Sequence, residues 1–284
     1  MSATATVRAG LRPAATRTDN TLARARHHLR AAPGWGLGLI LPAAIALLWE
    51  VGARAGWIPD RLLPPPSTVA ATIYELAASG DLTIHALATL QRVALGFGLG
   101  VAVATALGAL TGYSALGRQL LDPIIQGLRN IPSIAWVPLF ILWFGIFETS
   151  KVTLIAVGAF FPVYLGLSSG IRDVDRKLVE VGRVYNLSGG ALIRRILLPA
   201  ALPAYVVSLR SALGLAWMFV VAAEMMGASE GLGYLLVDGQ MTSRPAVIMA
   251  AIVLFAVIGK LTDALLTRLS RPLLGWQDSF KPQA

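Results

Sequence analysis

Hydrophobic positions along this chain fall into six long runs separated by polar breaks that carry glycine and proline. The runs cover about Leu37–Ala53, Val93–Tyr113, Ile131–Phe147, Val152–Ile171, Pro203–Met226 and Ala246–Leu266. Each approaches the roughly 20 apolar residues that a helix needs to cross a bilayer core. Lipid offers no hydrogen bonds to peptide groups, so every crossing is expected to be helical. Trp35 and Trp57 bracket the first run, as interfacial aromatic residues do. Ala53-Arg54-Ala55 imitates a signal-peptidase site, but the basic leader before the run is long and Glu50 interrupts it, so the run reads as a span.

The breaks carry their own signals. Arg54–Arg92 is too polar to cross and reads as short external helices, with Pro64-Pro65-Pro66, Ser67 as a cap, and a second break at Gly80-Asp81. Arg172–Pro203 reads as two short amphipathic, basic helices. The first presents Leu178, Val181 and Val184 or Tyr185 on one face. A break follows at Asn186-Leu187-Ser188-Gly189-Gly190, where Ser188 caps a second helix running through Ile193, Ile196 and Leu197 to Pro199. An apolar face outside the membrane needs a cover. From periodicity alone the cover is either the lipid surface or a partner.

Composition supports this picture. The chain is 56% hydrophobic and 14% charged, far from the balance of a soluble domain. It has no cysteine, which removes disulfides, thiol catalysis and cysteine metal sites, and three histidines make a histidine metal site improbable. The net charge of +9 is explained by its placement. With the N-terminus in the cytoplasm, the inside segments hold sixteen basic residues and the outside segments five. Nucleic acid is therefore not needed to account for the charge. The expected fold is all-α and integral to the membrane, with six transmembrane helices and both termini cytoplasmic. Residues 1–34 are expected to be a flexible basic cytoplasmic tail, and 35–284 a single transmembrane domain.

The segment between the fourth and fifth runs resembles the cytoplasmic signature loop of bacterial ABC-importer permeases. That pattern is Glu-Ala-Ala, three residues, Gly, nine residues, Ile, one residue, Leu-Pro. Here Glu180-Val181-Gly182 stands for the triplet, Asn186 for the Gly, and Ile196, Leu198 and Pro199 match in register. Asn tolerates the left-handed conformation that a Gly turn uses. Further stretches resemble the sulfonate/taurine/nitrate branch, aliphatic-sulfonate permeases above all: Leu63-Pro64-Pro65-Pro66-Ser67, Thr89-Leu90-Gln91-Arg92-Val93, Ala135-Trp136-Val137-Pro138-Leu139, and Ala222-Ala223-Glu224-Met225 followed by Gly231-Leu232-Gly233-Tyr234. The resemblance implies a type I importer permease fold acting as a homodimer in the bacterial inner membrane, with two cytoplasmic ATPase subunits and an external substrate-binding protein. The permease is then no enzyme, and residues 172–199 form the loop that the ATPase grips. No phosphate loop is present, since Gly259-Lys260 is followed by Leu261 and Leu254 stands where the first Gly belongs. ATP and Mg are thus expected on the partner, with no cofactor in this chain.

Charged and polar residues within runs are candidates for the translocation path. Arg129, Asn130, Ser133 and Trp136 lie where Pro123, Pro132 and Pro138 break regular bonding. A guanidinium can bind an oxyanion bidentately; otherwise Arg129 snorkels or pairs with Asp122. Glu224 closes the fifth run, and as an acid it suits a structural or gating role. Glu180 pairs with Arg176 or Arg183 on its own helix, or with a partner. Gly96, Gly98, Gly100, Gly108 and Gly112 fit close helix approach. Alternatives are a taurine or nitrate/bicarbonate permease of the same branch and, from a different class, an ion-coupled secondary transporter.

Overall fold

The computed structural model describes residues 34–276, so the expected tail falls outside the described residues except at its last position. The chain divides into two units, with the boundary between Gly52 and Ala53. The first is represented by most of helix α1, Gly34–Arg54. The second holds α2 Pro66–Ser79, α3 Asp81–Tyr113, α4 Ala115–Arg129, a 3-10 turn Ser133–Trp136 and α5 Val137–Phe144. It continues through α6 Glu148–Arg172, α7 Arg176–Val184, α8 Gly189–Leu192, a π turn Ile193–Leu197, α9 Leu198–Met225, α10 Leu232–Met241 and α11 Pro245–Ser270. Every regular element among the described residues is helical.

Small residues organise the centre. Gly96, Gly100, Ala104, Gly108 and Gly112 recur every fourth residue, which places them on one face of α3. A Cβ at Gly96 would lie 2.6 Å from Ile155, and one at Gly112 2.9 Å from Ile171, so α6 lies parallel to α3 at close range. Gly98, off this face, meets nothing. The backbones approach because no side chain intervenes, and dispersion rather than dehydration holds helices together in lipid. Thr111 adds a hydrogen bond to Ser168. α9 crosses the other side of α6 in the antiparallel sense, with Gly158 under Phe219 and Gly170 under Ala204. Tyr164, Ile155, Ala159 and Ala216 are wholly buried between these three helices. The outer surface is apolar, with Leu95, Leu99, Leu142, Val207, Ile252 and Leu261 exposed. That inverts the soluble pattern and suits a lipid solvent.

Four described helical segments are long and apolar enough to cross a membrane: Asp81–Tyr113, Glu148–Arg172, Gly189–Met225 and Pro245–Leu274. Three sequence expectations change. The run Ile131–Phe147 is no straight helix; α4 and the Ser133–Phe144 segment form one pair bent by 91°. Pro132, lacking an N–H, breaks the chain there. The helix carrying the run Val93–Tyr113 starts at Asp81, twelve residues before Val93, because Gly80 takes a left-handed conformation (φ 86°) that ends α2 and lets α3 begin at once. Pro66, not Ser67, opens α2.

Candidate functional site

The 172–199 segment sits at the end of the bundle where α6 stops and α9 starts. Asp175 caps α7 by accepting from the Lys177 N–H at 2.9 Å. Asn186 is left-handed (φ 57°), and the N–H groups of Asn186 and Leu187 donate to the carbonyls of Arg183 and Gly182, both at 2.9 Å. This is a Schellman closure in which Asn fills the Gly role. Gly182 is buried, and a Cβ there would meet the ends of Ile196 and Leu192. The departure from Ala at this position therefore lets α7 lie against the π turn. Leu198 packs with the Leu167, Ile171 and Leu197 cluster.

The second helix does not end at Pro199. Gly189 to Met225 runs as one continuous segment of 37 residues. The π turn immediately before Pro199 widens the backbone where the proline ring would otherwise meet the Arg195 carbonyl. Ser188 occupies the N-cap position without a side-chain cap bond. Glu180 pairs with Arg176 at 2.9 Å, one turn away on the same exposed face. Leu178, Val181, Val184 and Tyr185 are all exposed, Val184 to 80%. The apolar face of α7 is uncovered among the described residues.

The bent segment places the next group. Arg129, at the last turn of α4, and Asn130 are exposed, Ser133 is half-buried, and Trp136 stacks on Phe140 at 6.2 Å. Arg129 does not pair with Asp122. That carboxylate accepts from Tyr164 and from Arg172, the latter at 3.3 Å. No hydrogen bond or ion pair holds the Arg129 guanidinium among the described residues. Ile125, one turn before it, packs on Ala104, Ala159 and Val163, so α4 climbs to the middle of α3 and α6. Arg129 ends α4 one turn further on.

Glu224 lies elsewhere, at the opposite end from α7. It is 1% exposed. Its carboxylate accepts from Arg92 at 2.8 Å, from Thr89 at 2.8 Å and from the Gly233 N–H at 2.7 Å. Arg92 also donates two bonds to Glu148, at 2.7 and 2.9 Å, and one to the Glu230 carbonyl at 2.6 Å. Lys151 completes the group at 2.9 Å from Glu148. Two acids and two bases thus neutralise one another, and they tie α3, α6, α9 and α10 together. Gly231 (φ 125°) is required, because a Cβ there would sit 2.5 Å from the Glu224 carboxyl carbon. By sequence alone, Arg92 and Lys151 fall in exposed outer segments. The signal that points inward is Thr89 and Arg92, three residues apart on one helix face; their partner lies 132 residues on from Arg92.

Comparison with known proteins agrees with this geometry. Residues 96–274 match the family described as the binding-protein-dependent transport system inner membrane component. A Bacillus subtilis (strain 168) protein named as an aliphatic sulfonates transport permease is 45% identical over 87% of this chain and 90% of its own length. An Escherichia coli (strain K12) protein of the same name is 41% identical over 89% of this chain and 94% of its own. The Escherichia coli taurine transport system permease is 32% identical over 82% and 87%. Among solved structures, an inward-facing MetNI methionine ABC transporter superposes with a TM-score of 0.58 at 20% identity, covering 65% of this chain and 92% of that one. An all-helical, lipid-adapted fold without a phosphate loop, matched across most of its length, therefore belongs to the binding-protein-dependent transport system inner membrane component family: it is a permease subunit of an ABC importer, and ATP hydrolysis belongs to a separate subunit.

Proposed function

We propose that this permease imports aliphatic sulfonates across the bacterial inner membrane as a homodimer, driven by two cytoplasmic ATPase subunits and loaded by an external binding protein. Six crossings are assigned: α1, α3, the α4–α5 bent pair, α6, the Gly189–Met225 helix and α11, with both termini cytoplasmic. The basic residues favour this orientation, since Arg172, Arg176, Lys177, Arg183, Arg194 and Arg195 gather at the α7 end. Relatives named for aliphatic sulfonate transport support the substrate class.

The observation that carries the reading is the uncovered face of α7: Leu178, Val181, Val184 and Tyr185 stand out from the bundle, with the charged Arg176–Glu180 pair beside them. Apolar anchors at helical spacing suit a groove on a partner. Glu180, Val181, Gly182, Asn186, Ile196, Leu198 and Pro199 form the coupling segment. Glu180 flanks the docking face, Gly182 and Ile196 join α7 to the π turn, and Asn186 sets the turn. Closure of the ATPase pair on ATP moves α7. The 37-residue helix that follows carries this motion as a rigid lever to the Glu224 end. Opening at that end admits the anion, and hydrolysis restores the inward-facing state. On this path Arg129 meets the anionic group, with Asn130, Ser133 and Trp136 lining the bend, while Glu224 holds the far end of the lever.

The chain has no cysteine, so one introduced thiol reports its side without background. Val184→Cys should react with a membrane-impermeant maleimide in inverted vesicles and not in intact cells. Val184→Asp should abolish copurification of the ATPase subunit and ATP-driven alkanesulfonate uptake. Labelling in intact cells, or unchanged uptake by the Asp variant, would overturn the reading.

A further inference from the structure

We propose that the permease holds a binding site for an amphiphilic anion at the α4–α5 bend, in which an apolar slot takes the alkyl chain and Arg129 takes the charged head. The inference rests on the reading above and adds to it a defined site and a chain-length selectivity within the membrane subunit.

Two observations adjoin along the chain. The first is a slot of about 390 Å³ between α3, α4 and α6, closed at one side by the 3-10 turn. Val103, Leu107, Leu128, Trp136, Phe160 and Phe161 wall it, and no polar surface lines it. A smaller hollow of about 210 Å³ shares Val103 and Phe160 and extends the slot along α3 toward Leu99. Val103 lies in the middle of the apolar run Val93–Tyr113, and Phe160 and Phe161 lie near the middle of α6, so the slot sits at the centre of the membrane-spanning region.

The second observation is Arg129. It follows Leu128, a wall of the slot, directly in sequence, and it stands exposed where the chain turns by 91°. Asp122, the acid on its own helix, is committed to Arg172 and Tyr164. A charge at this depth without a counter-ion is costly, and it persists where it faces water or a charged solute. Irregular backbone at this depth is likewise tolerated where it borders a cavity.

Each feature alone has other uses. An inorganic anion would use Arg129 and leave the slot empty. A lipid acyl chain would use the slot and not need the guanidinium. The adjacent pair fits a solute with an anionic head on a short aliphatic chain. Moving a methylene from water into such a slot strengthens binding about fourfold. A slot that seats several methylenes therefore separates long chains from short ones by well over about tenfold.

The test uses the full complex, with its ATPase subunit and binding protein, in proteoliposomes. ATP-driven uptake of ethanesulfonate and hexanesulfonate is measured with the binding protein saturated by each. Val103→Phe narrows the slot from α3, and Leu107→Trp narrows it one turn further on. Both should lower the ratio of hexanesulfonate to ethanesulfonate uptake at least tenfold relative to the parent. An equal fall for both solutes in both variants, as expected if the slot holds lipid, or no fall in either, overturns the site. Failure of the parent complex to import either sulfonate would instead overturn the substrate reading.

Discussion

Replacing Arg92 by Met removes the centre of the buried ion cluster while keeping much of the side-chain volume. Glu224 then keeps only the Thr89 hydroxyl and the Gly233 N–H, inside a site where it is 1% exposed. Breaking a buried pair from one side costs about 3–5 kcal/mol, because the remaining charge is stranded. Glu148 differs, since its side chain is 58% exposed. Water screens that carboxylate, and the amide oxygen of a Gln there can still accept from Arg92 and from the buried Lys151, so Glu148→Gln should cost about 1 kcal/mol. For a chain of this size each kcal/mol lowers Tm by about 2–4 °C. Arg92→Met should therefore lower Tm by about 6–20 °C in thermal unfolding of the purified complex, and Glu148→Gln by under about 4 °C. The reasoning fails if the two variants melt together, or if Arg92→Met melts within about 4 °C of the parent.

Two further outcomes follow from backbone geometry. Asn186→Gly should leave stability unchanged or slightly raised, whereas Asn186→Val should cost about 1–2 kcal/mol by forcing a β-branched residue into the left-handed region, read as Tm. Gly100→Leu should prevent assembly, because a Cβ at that position already meets the Ala156 carbonyl of α6; size-exclusion profiles of the expressed protein check this, and a normal profile would show that α3 and α6 can separate.

The backbone of the 172–199 segment is partly legible in the amino-acid sequence. The resemblance to the permease signature loop points to Glu180, Asn186, Ile196 and Pro199, and the left-handed turn at Asn186 follows from side-chain chemistry and is present in the fold. The stripe of small residues on α3 is legible for the same reason, since a period of four puts residues on one face whatever lies opposite. The continuity of the helix through Pro199 is not legible. A proline is a stop signal to any local rule, and only the π turn in front of it lets the helix pass.

Sequence by itself determined the solvent of this protein, because hydropathy acts locally along the chain. Tertiary structure alone decided which charges are paired. Along the chain Arg92 reads as a residue of an outer segment, Asp122 as one candidate partner for Arg129, and Glu224 as an acid in a structural or gating role. The fold joins Arg92 to Glu224, gives Asp122 to Arg172, and leaves Arg129 open. The physical reason is that an ion pair depends on separation in space. Residues more than a hundred positions apart reach 2.8 Å only in the packed bundle.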